Sequence, residues 1–369
     1  MKKNKLLVRY VANFLENVTA IDRINFLIFF ITSTCNCRCS TCFYWQSLNR
    51  TENLSLAEIK KVSASMGRFR TLLLSGGEPF MRNDIDAICS CFVEQNGIAT
   101  LAIPTNCTLP ERMLPFVEDI LDRYPNLTLS INPSLDGMRE THDAMRGKKG
   151  VFDKVVETVT ELSRIRRRNP KLEIVINTVI TERNAGEIDL LCEFVYNELD
   201  CDYHDFEILR GDPKDSGLKA PPVAEIRLLH GLVARNRERY LKRRGAGEME
   251  RFAEMGLLLY SQKAKERVLD RRKLPARCTA GRNIGVLEPD GGVRLCELLP
   301  AIGNVRDAGY DFMSVWNSRR AMELRQKIRA TDCACTHVCF IKLSGAAYVR
   351  TVPAILKEYL RYRVANGKT

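Results

Sequence analysis

Between residues 26 and 209 the sequence alternates repeatedly between short apolar runs and longer amphipathic ones, and this alternation restricts the fold more than any other feature. The runs that read as strands cover 26–32, 70–75, 99–105, 127–132, 172–180 and 203–209. Segments with helical period cover 55–66, 83–95, 109–122, 151–168 and 185–198, with Ser55 placed to cap the first. Strand–helix repeats of this size require parallel strands joined by right-handed crossovers. The sequence therefore predicts an α/β fold, a partial (β/α)6 TIM-like barrel of parallel strands. Ligand groups are expected at the carboxyl ends of those strands.

The chain has 369 residues, enough for such a domain and a smaller appendage. Residues 1–24 read as an amphipathic helix with a stripe of Leu7, Val11, Phe14 and Val18. It is expected to pack on the main domain rather than lie on a membrane surface. Residues 25–212 form the predicted barrel. The charged stretch 213–275 reads as one or two long flanking helices. Residues 276–345 form a small cysteine-rich domain, with a strand, a turn at Asp290-Gly291-Gly292, a second strand and a helix near 321–329. A last helix falls at 353–364, within 346–369.

Fourteen cysteines suggest either disulfides or metal ligands. The segment 6–18 is interrupted by Arg9, Asn13 and Glu16, which makes it a poor signal peptide. The longest apolar run, 26–31, falls far short of a bilayer span. A reducing cytoplasm with metal-bound thiolates is the expected setting. The net charge of +12 is spread over helix faces such as 166–168 and 242–244. No basic segment is interleaved with aromatics, so nucleic acid is not an expected partner.

Two motifs carry the chemistry. Cys35, Cys39 and Cys42 have C-x3-C-x2-C spacing in the run TCNCRCSTCF at 34–43, just after the first strand. Three thiolates on a four-iron cubane leave one iron open to bind a small molecule. A zinc knuckle or buried free thiols are the alternatives. Ser75-Gly76-Gly77-Glu78-Pro79-Phe80 ends the second strand. Its glycines let a ligand approach the backbone, Glu78 can accept from an ammonium, and Pro79 stiffens the turn.

Together these motifs resemble the radical S-adenosylmethionine (radical SAM) superfamily over roughly 25–210. The resemblance implies a [4Fe–4S] cluster on Cys35, Cys39 and Cys42. Its fourth iron chelates the amino and carboxylate groups of SAM, and the turn at Gly76, Gly77, Glu78 and Pro79 binds the amino group. Asn106 stands in a Thr-Asn-Cys triplet where the family often has Thr-Asn-Gly, so Cys107 replaces a glycine. Ser134 and Asp136 have the capacity to hold a ribose or substrate hydroxyl. His142 and Arg146 lie in a segment expected to lock a loop or touch ligand, and Asn177 to contact SAM if it points inward. Thr41 precedes the third cysteine where many relatives carry an aromatic, with Phe43 and Tyr44 adjacent. Cys37 reads as a spectator.

A second cysteine set comprises Cys278, Cys296, Cys333, Cys335 and Cys339. Four of the five would fully ligate an auxiliary [4Fe–4S] cluster, with zinc the alternative. The region resembles the SPASM domain or its shorter form, twitch. His337 reads as surface packing or a further ligand. Cys89, Cys91, Cys192 and Cys201 read as buried, inert thiols. Arg210, ending the sixth strand, is expected to pair with a substrate anion or a neighbouring loop.

The resemblance implies an oxidoreductase that takes an electron from a donor such as flavodoxin or ferredoxin. It cleaves SAM to a 5′-deoxyadenosyl radical and removes hydrogen from a C–H bond of a small-molecule or peptide substrate. The auxiliary cluster then accepts the substrate's electron. A peptide maturase or epimerase is an alternative outcome, and a non-catalytic iron–sulfur carrier is an alternative of another class.

Overall fold

A computed structural model describes residues 23–50, 52–274, 276–330 and 335–367. The expected helix within 1–24, with its four-residue stripe, lies outside them, as does Cys333. The barrel elements are β1 (Phe26–Thr32), α1 (Leu56–Met66), β2 (Thr71–Gly76), α2 (Ile85–Asn96), β3 (Thr100–Thr105) and α3 (Pro110–Arg123). They continue with β4 (Thr128–Pro133), α4 (Arg139–Arg146), α5 (Val151–Arg168), β5 (Leu172–Ile180), α6 (Ile188–Glu198) and β6 (Tyr203–Ile208). Two long helices follow, α7 (Val223–Arg243) and α8 (Glu248–Leu269). The C-terminal part holds β7 (Ile284–Leu287), β8 (Gly292–Arg294), β9 (Gly303–Asn304), α9 (Phe312–Trp316), α10 (Arg319–Ala330), α11 (Val338–Ala346) and α12 (Val352–Asn366).

The described strands form one open sheet in the order β6-β5-β4-β3-β2-β1-β7-β8-β9. Strands β1 to β6 are parallel to their neighbours. The fold is thus α/β with a mostly parallel sheet, as the alternation predicts, and the barrel is partial. Strand β1 reads FLIFFIT, and Leu27, Ile28, Phe29 and Ile31 are fully buried. A parallel strand covered on both faces needs such an unbroken apolar run. Each large side chain buried there contributes about 1.5–3 kcal/mol.

The sequence leaves three features unread. Strand β7 pairs in parallel with β1, Phe26 opposite Ile284, so the cysteine-rich region extends the main sheet. Gly285 of β7 lets the buried ring of Trp316 pack against this strand, because a Cβ there would lie 2.7 Å from it. Residues 139–146 form a helix, α4, rather than a loop, and Cys339 lies on another, α11. Among the described residues no single helix is long and apolar enough to cross a membrane.

Helix α1 carries a full capping box. Ser55 Oγ accepts from the Glu58 N–H at 3.3 Å, and Glu58 Oε2 accepts from the Ser55 N–H at 2.8 Å. Glu58 also receives Arg306 Nε at 2.8 Å and the Tyr310 hydroxyl at 3.1 Å, tying α1 to the C-terminal part. Ser55→Ala should lower unfolding free energy by about 1 kcal/mol in urea titrations. Glu58→Ala should lower it further, and equal losses would mean the contacts to Arg306 and Tyr310 contribute nothing.

Candidate active site

The cysteine loop begins where β1 ends and is fixed from three sides. On one side, the Arg38 and Ser40 N–H groups donate to the carbonyls of Arg146 and Met145, at 3.1 and 2.8 Å. On another, the Lys214 and Asp215 N–H groups donate to the carbonyls of Cys42 and Ser40, at 3.1 and 3.0 Å. On the third, Asn49 accepts from the Cys35 N–H at 3.1 Å. All three cysteines are half-buried, and burial pushes the Cys35 thiol up to about 11 and that of Cys42 to about 12. The Cys39 thiol, close to both, raises them further, so thiolates here need a bound cation.

The Gly-Gly turn lies directly against this loop. The Gly77 and Glu78 N–H groups donate to the carbonyls of Thr32 and Thr34, at 2.8 and 2.9 Å. A Cβ on Gly76 would sit 2.2 Å from Thr32 O, and one on Gly77 2.0 Å from Thr34 O. The glycines are therefore required by the approach of the cysteine loop's own backbone. Glu78 is buried, and its carboxylate accepts from Thr105 Oγ1 at 2.9 Å, Asn106 N at 2.8 Å and Phe80 N at 3.3 Å. Burial pushes this carboxyl up to about 7 against those three donors. It clamps β2 to β3 through these bonds. Pro79 opens a short 3-10 turn behind it.

Asn106 turns back to the cysteine loop: its Nδ2 donates to Asn36 Oδ1 at 2.9 Å. Cys107 takes φ +60°, so the left-handed geometry a glycine would supply is kept with a buried thiol in its place. Ser134, just past the end of β4, is brought to Asn177, within β5, by a parallel bridge. Asp136 is fully buried, with its carboxylate 2.7 Å from Arg146 Nη2 and accepting from the Val179 N–H at 2.9 Å. Arg146 also donates Nη1 to Cys39 Sγ at 3.7 Å. His142 accepts from the Asp136 N–H at 3.0 Å, and burial, then Arg146, holds its pKa well below the usual imidazole value. Asp136, His142 and Arg146 thus form one buried unit that carries the cysteine loop.

In the C-terminal part, Cys278 and Cys335 line one apolar cavity, and both act electrostatically on Cys296. Cys339 is half-buried and lies near Glu297. His337 is buried rather than superficial; it caps α11 and pairs through Nε2 with Glu297. Burial works against charge on Glu297, but His337 and Arg210 hold its carboxyl down at about 2. Arg210 joins the two cysteine regions. It lies over the Phe43 ring at 4.7 Å, next to Cys42, and places Nη2 3.5 Å from Glu297, next to Cys296. Its other partner is Glu207. Arg210 and Arg146 are therefore both held by internal carboxylates.

Both thiol sets fit iron–sulfur ligation. Among the described residues no three His, Cys, Asp or Glu side chains close to a single-ion site. The soft thiolate donors suit a cluster. Four of them already accept an N–H from the residue two positions on: Cys35 from Cys37, Cys42 from Tyr44, Cys278 from Ala280 at 3.4 Å and Cys296 from Leu298 at 3.5 Å. Such bonds stabilise a thiolate and tune a cluster. Sequence reasoning missed Asn36, Asn49, Glu297, the buried Lys265 and the half-buried Lys342. Only Glu297, a charge beside a ligand candidate, carried a local signal.

Residues 29–195 match the radical SAM superfamily, and residues 278–340 match SPASM, an iron–sulfur cluster-binding domain. The chain belongs to the radical SAM superfamily and is an enzyme of that class with a C-terminal SPASM domain. The class uses S-adenosylmethionine and a [4Fe–4S] cluster, and SPASM adds iron–sulfur binding. The AdoMet-dependent heme synthase of Methanosarcina barkeri is 27% identical over 72% of this chain and 72% of its own length. The antilisterial bacteriocin subtilosin biosynthesis protein AlbA of Bacillus subtilis is 26% identical over 81% of this chain and 60% of its own. Against another curated relative the chain spans only 42% of that protein's length. Streptococcus suis SuiB, solved bound to precursor peptide SuiA, shares the fold with TM-score 0.58 and 17% identity, over 89% of this chain and 71% of its own.

Two substitutions test this geometry. Gly77→Ala should sharply lower iron retained at the N-terminal site after anaerobic reconstitution, while Gly186→Ala, where a Cβ meets nothing within 4 Å, should not. Arg146→Met leaves Asp136 buried without its cation and should cost about 3–5 kcal/mol of stability in urea unfolding. A loss under about 1 kcal/mol would remove that pair from the account.

Proposed function

We propose that the chain cleaves S-adenosylmethionine reductively at Cys35, Cys39 and Cys42 and oxidises a C–H bond of a substrate held inside the half-barrel. An external flavodoxin or ferredoxin in the cytoplasm supplies the first electron. When bound, the cluster and SAM together supply a 5′-deoxyadenosyl radical. The protein's own residues hold and aim. Main-chain carbonyls at Gly76–Glu78 receive the amino group, Ser134 and Asn177 face the nucleoside, and the Asp136–Arg146 pair keeps Cys39 in place. The half-barrel excludes water, and this protects a reactive centre that attacks whatever lies nearest. Cysteines drawn from Cys278, Cys296, Cys333, Cys335 and Cys339 would hold an auxiliary cluster, which would supply an acceptor for the substrate's second electron, the matching hydrogen leaving as a proton. The observation that carries this reading is Arg210, a single side chain between Phe43 of one cysteine loop and Glu297 of the other.

We favour a peptide substrate. The likeness to the subtilosin biosynthesis protein runs over 81% of the chain, and a structural neighbour was solved with its precursor peptide. Arg210, the cation expected to pair with a substrate anion, has internal partners, and so does Arg146, the other candidate substrate contact. A tetrapyrrole is the second reading, supported by the heme synthase match over 72% of both chains.

Anaerobically reconstituted protein with dithionite and SAM should form 5′-deoxyadenosine, and the Cys35/Cys39/Cys42→Ala variant should form none. Cys296→Ala with Cys339→Ala should retain cleavage while ending substrate oxidation, read as a two-hydrogen mass loss in a precursor peptide encoded nearby. Equal loss of cleavage in both variants would make the C-terminal site structural. Turnover of an iron porphyrin but no peptide would select the second reading.

A further inference from the structure

Helix α8 passes between the C-terminal cysteines and β6. Ala264 lines the apolar cavity that holds Cys278 and Cys335. The next residue, Lys265, lines an adjoining cavity with His230, Ser261, Gln262, Asp205 and Lys342. Lys265 is 3% exposed, and among the described residues its Nζ donates only to the Phe206 carbonyl, at 3.5 Å. Among the described residues no carboxylate lies within ion-pair distance of it.

Its cationic neighbours are different. Lys342 pairs with Asp205 at 3.4 Å, Arg237 with Asp205 and Glu254, and Arg210 with Glu207 and Glu297. Asp205 is therefore engaged by two other cations, Glu297 by Arg210 and His337, and Glu266 by His230 at 3.0 Å. A buried ammonium without a counter-charge is costly and tends toward neutrality. Burial, then Lys342 and Arg210, does hold the Lys265 pKa down, to about 7. The groups acting the other way are the Cys339 and Cys335 thiols. Val338 and Lys342, four apart on one face of α11, line the same cavity as Lys265, and Cys339 is the residue that follows Val338.

We infer that Lys265 is the counter-cation of the thiolate-ligated group at Cys335 and Cys339, and that its positive charge raises the reduction potential of the auxiliary cluster held there. This rests on the proposed reading of the C-terminal cysteines. A thiolate-bound cluster is net anionic and becomes more so on gaining one electron. A fixed cation beside it, in a pocket screened from water, favours the reduced state. Lys265 is thus a positioning charge for the electron's exit and touches no substrate.

The test is an anaerobic dithionite titration of the full reconstituted chain followed by EPR, with iron and sulfide content measured alongside. Lys265→Met keeps the length and apolar stem and removes the charge; Lys265→Arg keeps the charge. Lys265→Met should lower the potential of the auxiliary signal by about 60 mV, a tenfold change in its one-electron equilibrium, while Lys265→Arg stays near wild type. Should Lys265→Met fail to retain the auxiliary cluster while Lys265→Arg retains it, the need for the charge stands on iron content instead. An unchanged potential in Lys265→Met, or loss of the cluster in both variants, overturns the inference. Wild-type protein with a single cluster would instead overturn the reading of the C-terminal site on which it rests.

Discussion

Everything at the candidate site depends on six strands running the same way. Parallel pairing from β1 to β6 gathers six carboxyl ends on one edge, and the chemistry-bearing loops leave from them. Cys35 follows β1, Gly77 follows β2, Asn106 follows β3, Ser134 and Asp136 follow β4, and Arg210 follows β6. The register then decides which loops touch. Thr32 lies opposite Gly76, so the cysteine loop and the glycine turn begin side by side and continue their hydrogen bonding to Thr34. Moving either of these two loops to another strand would separate the cysteines from the glycine turn.

Buried charge does much of the positioning. Asp136 and Arg146 neutralise each other beneath the cysteine loop, and Glu78 is satisfied by three donors from its own turn and from β3. Such groups are stable only while every partner stays in place, and that property suits them to fixing geometry. Arg210 extends the scheme toward the SPASM domain. Its contacts with Phe43 and Glu297 mean that a shift in one cysteine region is felt in the other.

Much of this architecture is legible in the sequence, because strands and helices announce themselves by period. The five barrel helices read from it each match a helix of the structure to within two or three residues at either end. Helix α4 was missed for a physical reason. Its eight residues are mostly polar, and it is held from outside by Glu187, which accepts from Met138 N at 3.0 Å and Thr141 Oγ1 at 2.5 Å. The pairing of β7 with β1 is equally invisible, since a four-residue run carries no record of its neighbour. Among site residues, the cysteines and glycines were readable from spacing. The clamping role of Glu78 and the locations of His337 and Lys265 arise from tertiary contacts that no local pattern encodes.

The central claim is that one of two clusters has an iron open to SAM while the other is fully ligated by protein. EPR of the dithionite-reduced, anaerobically reconstituted chain, recorded with and without SAM, addresses it directly. The account predicts two cluster signals, one that changes on adding SAM and one that does not. A spectrum in which neither signal responds, or protein that carries zinc alone at Cys35, Cys39 and Cys42, would contradict it.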